Sequence, residues 1–217
     1  MRRNVFGTVL IVLGLMSLLG AAGLLGYNMT EEQNAGDSSR VVLSTLMDQM
    51  PTADTTPQNT VPDESQPHQT APELQIPNYM LNPGMDLPVR ESDGRDYVGI
   101  LEIPDLELEL PILSEWSRSG AKIAPCRYVG TPYQGNLVLC AHNYTSHFGR
   151  LNTLKTGAKI YFTDMDGNTF CYEAVAFEIL QPNQVEEMRS AQWALTLCTC
   201  TIGGQTRVVV RCLKVYI

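Results

Sequence analysis

Three kinds of chemistry are missing from this chain. Positive charge is in deficit: 15 Lys and Arg face 23 Asp and Glu, for a formal net charge of −8. Nothing in that balance suggests a nucleic-acid partner, which would call for a basic face. No Cys-x-x-Cys pair occurs, so Cys198-x-Cys200 with His142 falls short of a zinc ligand set. The stretch Asp164-Met165-Asp166-Gly167-Asn168 begins like a calcium loop. It lacks the Gly at the sixth position, where Thr169 stands, and the Glu at the twelfth, where Val175 stands. A hairpin turn fits it better, and no metal or other cofactor is expected.

Charge is also missing from one long run. Residues 5–27 hold no Asp, Glu, Lys or Arg and follow Arg2 and Arg3, which is enough apolar length to cross a bilayer as a helix. The run is longer than the apolar core of a cleaved signal peptide, and no small-x-small site ends it. It reads as an uncleaved single-pass anchor, with the N-terminus cytoplasmic and the rest of the chain extracellular by the positive-inside rule.

The acidity is unevenly spread. Residues 28–91 carry ten Asp and Glu against two Arg, whereas residues 92–217 are nearly neutral. Three segments follow: a cytoplasmic tip and transmembrane anchor over 1–27, an acidic Pro/Thr-rich linker and N-terminal arm over 28–91, and a folded domain over 92–217. About 125 residues suffice for one ordinary core. Inside the linker, Val42, Leu43, Leu46, Met47 and Met50 follow Ser38-Ser39 at helical spacing and stop at Pro51. They predict a short helix near the membrane or a transient one in a flexible stalk. Residues 51–77, rich in Pro, Thr, Gln and Asp, cannot bury enough apolar surface to fold and read as a spacer. Residues 74–89, with Tyr79, Met80 and Met85, read as an arm that packs on the domain, the alternative being a lid over its site.

The domain is a succession of short strands. Residues 97–103 and 106–113 flank a turn at Pro104-Asp105, and Leu106, Leu108 and Leu110 alternate with Glu107 and Glu109. Residues 136–142, 159–163, 169–180, 193–200 and 207–216 continue the series, and 121–128 stays ambiguous. Many short strands with regular turns predict a closed or nearly closed β-barrel. Six cysteines lie in this domain. An even count outside the cell invites a disulfide framework. Most of them sit singly in apolar runs, as buried thiols do; a bridge such as Cys140 to Cys212 stays open.

The run Thr196-Leu197-Cys198-Thr199-Cys200 sets thiols at the end of one strand. Gly203-Gly204 then permits a reversal, and Arg207 opens the next strand. A thiolate nucleophile needs a proton partner, and an acyl-transfer oxyanion needs a cation or donors. Of three histidines, His68 lies in the spacer, His142 ends the apolar run 137–141, and His147 follows inside a stretch that suggests a short helix over 147–154. Period two puts Thr196, Cys198 and Cys200 on one side, Cys140 with His142, and Arg207 with Val209 and Arg211, so the active groups could converge on one rim of the barrel. From pattern alone Cys200 is equally a packed core cysteine and Arg207 equally a surface ion pair.

Ala141-His142-Asn143 with downstream His147-Phe148-Gly149, then Thr196-Leu197-x-Thr199-Cys200, then an Arg seven residues on, resembles the sortases, the membrane-anchored cysteine transpeptidases of Gram-positive bacteria. The resemblance implies a compact sortase-like, closed eight-stranded β-barrel with short helices, in which His142, Cys200 and Arg207 are the catalytic His, Cys and Arg. It implies a contact of Thr199 with substrate or oxyanion, an ordinary strand threonine being the alternative. It also implies cleavage of a sorting motif like Leu-Pro-x-Thr-Gly between Thr and Gly in surface proteins, with transfer to a cell-wall peptide or pilin amine. Ala141 stands where the family usually has Gly, and Cys198 leaves a rival thiol. Only twelve residues, 181–192, precede the nucleophile strand, too few for the long helix of class B, and no apolar segment closes the chain as in class C. A class A-like or class D-like enzyme is expected. A cell-wall cysteine peptidase or amidase and a non-catalytic membrane-tethered β-domain are the alternatives.

Overall fold

In the computed structural model the described residues are 2–51 and 76–216. Residues 52–75 of the spacer, His68 among them, fall outside them. The first element, α1, spans Arg2–Gln49 without a break, a rod about 70 Å long. It is the one helix among the described residues long and apolar enough to cross a membrane, and its apolar half is exposed on all sides. The short helix expected near residue 38 is thus the far end of this same rod. No proline interrupts residues 28–50, and Pro51 then ends it, since the residue before a proline is driven out of the helical region. Ala35, Ser39, Val42 and Leu46 are buried. Their spacing of four, three and four keeps them on one face. Val42 and Leu46 join Tyr97, Ile100, Leu113, Ala121 and Met165 in an apolar cluster, and the Ser39 hydroxyl donates to the Ile123 carbonyl at 3.1 Å.

The domain is a barrel of eight strands: β2 (Arg95–Ile103), β3 (Leu108–Leu113), β4 (Cys126–Val129), β5 (Leu137–Cys140), β6 (Lys159–Asp164), β7 (Thr169–Leu180), β8 (Leu195–Cys200) and β9 (Arg207–Val215). Neighbours run β2-β3-β4-β5-β8-β9-β7-β6, and β6 pairs back with β2 to close the ring. An additional strand, β1 (Arg90–Ser92), hangs on β2 through a hairpin in which Asp93 and Gly94 take φ of 50° and 68°. Period two splits the strands facing the site into two sides. Leu137, Leu139, Leu195, Leu197, Val210 and Cys212 enter the main core. Val138, Cys140, Cys198 and Val209 form a separate cluster on the outer wall with Met188. That second face carries the site.

The arm packs, as expected. Its short helix α2 (Asn78–Leu81) sets Tyr79 flat on Tyr133 at 4.9 Å and edge-on to Phe170 at 5.2 Å. Leu87 is buried, and Asp86 pairs with Arg127. At the β6–β7 turn the Asp164 carboxylate accepts from the Asp166 and Asn168 amides, each at 2.9 Å, and from the Tyr133 hydroxyl at 2.6 Å. Its oxygens serve the hairpin. The helix expected over 147–154 is replaced by turns and a single 3-10 turn at Leu151–Thr153. Gly149 is the cause: its amide bonds the Tyr144 carbonyl at 2.8 Å, and a Cβ there would lie 2.5 Å from the Asn143 carbonyl oxygen. The loop folds back on itself instead of winding forward.

Candidate active site

The strand register lines up the chemistry. β5 and β8 run parallel with Cys140 beside Cys198, and the Ala141 amide reaches the Cys198 carbonyl at 3.1 Å. His142 follows two residues past the end of β5, and the cleft that it lines also holds Cys200. On the other side of β8, antiparallel β9 sets Arg207 directly opposite Cys200. Thiol and guanidinium thus face each other across neighbouring strands about 4.8 Å apart, and the imidazole stands just past the end of the strand on the other side of β8. Gly203 and Gly204, at φ of 85° and 72°, make the β8–β9 reversal that side chains would resist. All three groups line a cleft of about 610 Å³ on the outer wall of the barrel.

Cys200 is half-buried, whereas the other five cysteines are buried; all six are free thiols. The open alternative of a Cys140–Cys212 bridge is therefore corrected: Cys140 faces the cleft cluster and Cys212 the main core, on opposite sides of the wall. Cys198, the rival thiol, lies 3% exposed in the floor. A hydrogen bond between the two thiols, together with burial, holds Cys140 well above the usual thiol range. The same bond, with attraction from Arg207 and Arg211, lowers Cys198.

His142 takes its place from a backbone bond, its amide donating to Ala121 at 3.0 Å. Burial lowers its affinity for protons, and nearby Lys122 lowers it further against the opposing pull of Glu31. The neutral imidazole is favoured. Its Nδ1 is buried with no hydrogen-bond partner in the structure, and its ring lies against Tyr144 at 4.2 Å between centroids. Arg207 donates through Nη1 to the carbonyls of Gly204 and Thr206 at 3.1 and 3.0 Å. Thr199 is buried, and its hydroxyl donates to the Ala141 carbonyl at 3.0 Å, which ties the neighbour of Cys200 to the neighbour of His142. His147 does not join the cleft. It is sealed under α1, with Nε2 3.4 Å from the Ser39 hydroxyl.

The segment between β7 and β8 covers the cleft floor. Its one helical turn, α3 (Val185–Met188), places Val185 and Met188 in the lining. Arg211, 2% exposed, clamps it from below: Nη1 donates to the Met188 carbonyl at 3.0 Å and the Thr196 hydroxyl at 3.1 Å, Nη2 to the Glu187 carbonyl at 2.6 Å, and Nε to Glu178 at 3.0 Å. Sequence reasoning put Arg211 on the face of Arg207 but gave it no task. It missed Tyr144, whose one available signal was its place two residues after His142.

Residues 101–215 match the Sortase domain family. Among solved structures, the fold is similar to sortase A from Corynebacterium diphtheriae (23% identity, TM-score 0.51, covering 57% of this chain and 62% of that one). It is similar too to sortase C from Clostridium perfringens SM101 (24%, 0.51, 67% and 78%). A third likeness is to a Clostridium perfringens sortase D5 transpeptidase (17%, 0.51, 58% and 83%). The chain thus spans less than two thirds of the first of these, and at such identities the three likenesses speak for the fold. Among curated proteins none matches the chain.

Proposed function

The chain belongs to the sortase family, and from that premise we propose that it is a membrane-anchored cysteine transpeptidase acting through Cys200, His142 and Arg207. The observation that carries this reading is one cleft lined by the Cys200 thiol, the His142 imidazole and the Arg207 guanidinium, with Cys200 and Arg207 directly opposite on paired strands. The neutral His142 imidazole accepts the Cys200 thiol proton as Sγ attacks the carbonyl between Thr and Gly of a motif like Leu-Pro-x-Thr-Gly. Arg207 stabilises the oxyanion. The C–N bond breaks, His142 returns the proton to the leaving amine, and a thioester remains on Cys200. A second amine, from a cell-wall peptide or a pilin, then attacks the thioester. It gives its proton to His142, and Cys200 leaves. Thr199 holds the strand end in register and borders the substrate.

The anchor is α1, with its N-terminus on the cytoplasmic side and the barrel outside. Residues 1–27 carry the span, 28–91 connect it to the barrel, and 92–217 form the catalytic unit. The single turn of α3 before β8 supports a class A-like or class D-like enzyme. Against a peptidase of the Cys-His-Asn kind stands the His142 Nδ1, which no amide or carboxylate orients.

The full chain in detergent, given a labelled sorting peptide and an oligoglycine or diaminopimelate-containing acceptor, is expected to form a joined product. Cys200→Ala abolishes turnover while the Tm is kept. Arg207→Lys is severely impaired, because an ammonium lacks the planar fork. Turnover surviving Cys200→Ala removes the assignment, and hydrolysis without any joined product selects the peptidase.

A further inference from the structure

A histidine that carries protons in a thiol enzyme is usually held by a hydrogen bond on its second ring nitrogen, which fixes tautomer and ring orientation. His142 lacks that bond: Nδ1 is buried without a partner. Something else must set the plane of the ring. The Tyr144 ring lies against it at 4.2 Å with 30° between planes. The Tyr144 hydroxyl donates to Glu31 Oε2 at 3.1 Å. Glu31 is held in turn by Lys122, whose Nζ stands 3.2 Å from both carboxylate oxygens. Glu31 belongs to α1, four residues past Tyr27 at the end of the uncharged run. The next residue seals the contact, since the Thr145 amide donates to Glu32 at 2.7 Å.

We propose that Glu31 and Tyr144 are positioning residues for His142: the membrane helix supplies a carboxylate that fixes a tyrosine, and the tyrosine ring fixes the imidazole. This rests on the reading of His142 as the proton carrier. The charged and titratable groups facing His142 and its supports include Tyr27, Glu31 and Glu32 from α1, the Tyr27 hydroxyl donating to Glu31 at 2.8 Å, Arg118 and Lys122 from the segment before β4, Tyr144 and His147 from its own loop, and Cys140, Cys198, Cys200 and Arg207 from β5, β8 and β9. Of these, Lys122 opposes protonation of His142 and Glu31 favours it. The anchor therefore acts on the site as well as on its location. A barrel detached from α1 keeps its three reacting groups but loses the group that aims one of them.

The test uses the full chain in detergent micelles with ring-carbon-labelled histidine and Cys200→Ala, so that nothing turns over; His142→Asn assigns the resonance. Tyr144→Leu is expected to move the His142 signal as the neighbouring ring is lost, and Glu31→Gln to lower its titration midpoint. With Cys200 intact, both variants lower kcat about 10- to 100-fold and leave KM within about twofold, the pattern of a misaimed group. Tyr144→Phe, which keeps the ring and drops the hydroxyl, loses less than Tyr144→Leu. An unmoved signal and midpoint with the Tm held overturn the proposal, as does a parental kcat in both Tyr144→Leu and Glu31→Gln. If the signal and midpoint move but the parent cleaves no sorting peptide, the positioning stands and the transpeptidase reading falls.

Discussion

His147 is fully buried, with one nitrogen near Ser39 and the other unpartnered. Burial, helped by the nearby His142, pushes its pKa from 6.5 down to about 4. The unfolded chain therefore binds this proton more tightly than the folded one. The stability held by neutral His147 is complete above pH 6.5 and is lost as the pH falls from 6.5 toward 4. The loss amounts to about 3 kcal/mol at the acid end. His147→Gln has no such proton to take up, so its urea midpoint should fall less between pH 7 and pH 4 than the parent's. Parallel lines for the two proteins would refute the assignment.

Arg211 is the joint between the barrel wall and the loop above it. Arg211→Met would take the side-chain donor from the Met188 carbonyl, the Thr196 hydroxyl and the Glu178 carboxylate, and one of two donors from the Glu187 carbonyl, at a cost of about 3 kcal/mol. Because α3 rests on those carbonyls and supplies Val185 and Met188 to the cleft, KM for the sorting peptide should rise more than kcat falls. Urea melts and peptide kinetics check both halves. The strands were legible because alternation marks a half-buried wall, and the Gly203-Gly204 reversal fixed Cys200 against Arg207. β1 escaped notice because Arg90-Glu91-Ser92 carries no apolar pattern. The seam of α1 was only half visible: Val42 and Leu46 stood out, whereas Ala35 and Ser39, small and polar, do not register as a buried face. The contact of Glu31 with Tyr144 spans 113 residues and leaves no local mark on the sequence.

At the scale of the whole molecule, α1 runs unbroken from its exposed apolar half to the seam under the barrel. Seven residues of helix inserted after Gly26 would raise the barrel by about 10 Å while leaving the Tyr27 hydroxyl on Glu31, the seam and the cleft as they are. Turnover of a free sorting peptide should stay at the parental level in reconstituted vesicles. Turnover of a substrate tethered to the same bilayer by a short spacer should drop, and lengthening that spacer by a similar reach should restore it. Equal turnover on both substrates would mean that the rod does not set the barrel's distance from the lipid. Glu31 lies only about 6 Å along the rod from Tyr27, so the transpeptidase proposed above would work as a height gauge: it would read how far a target's cutting point stands above the lipid, and a target that carries that point too high would pass over it uncut.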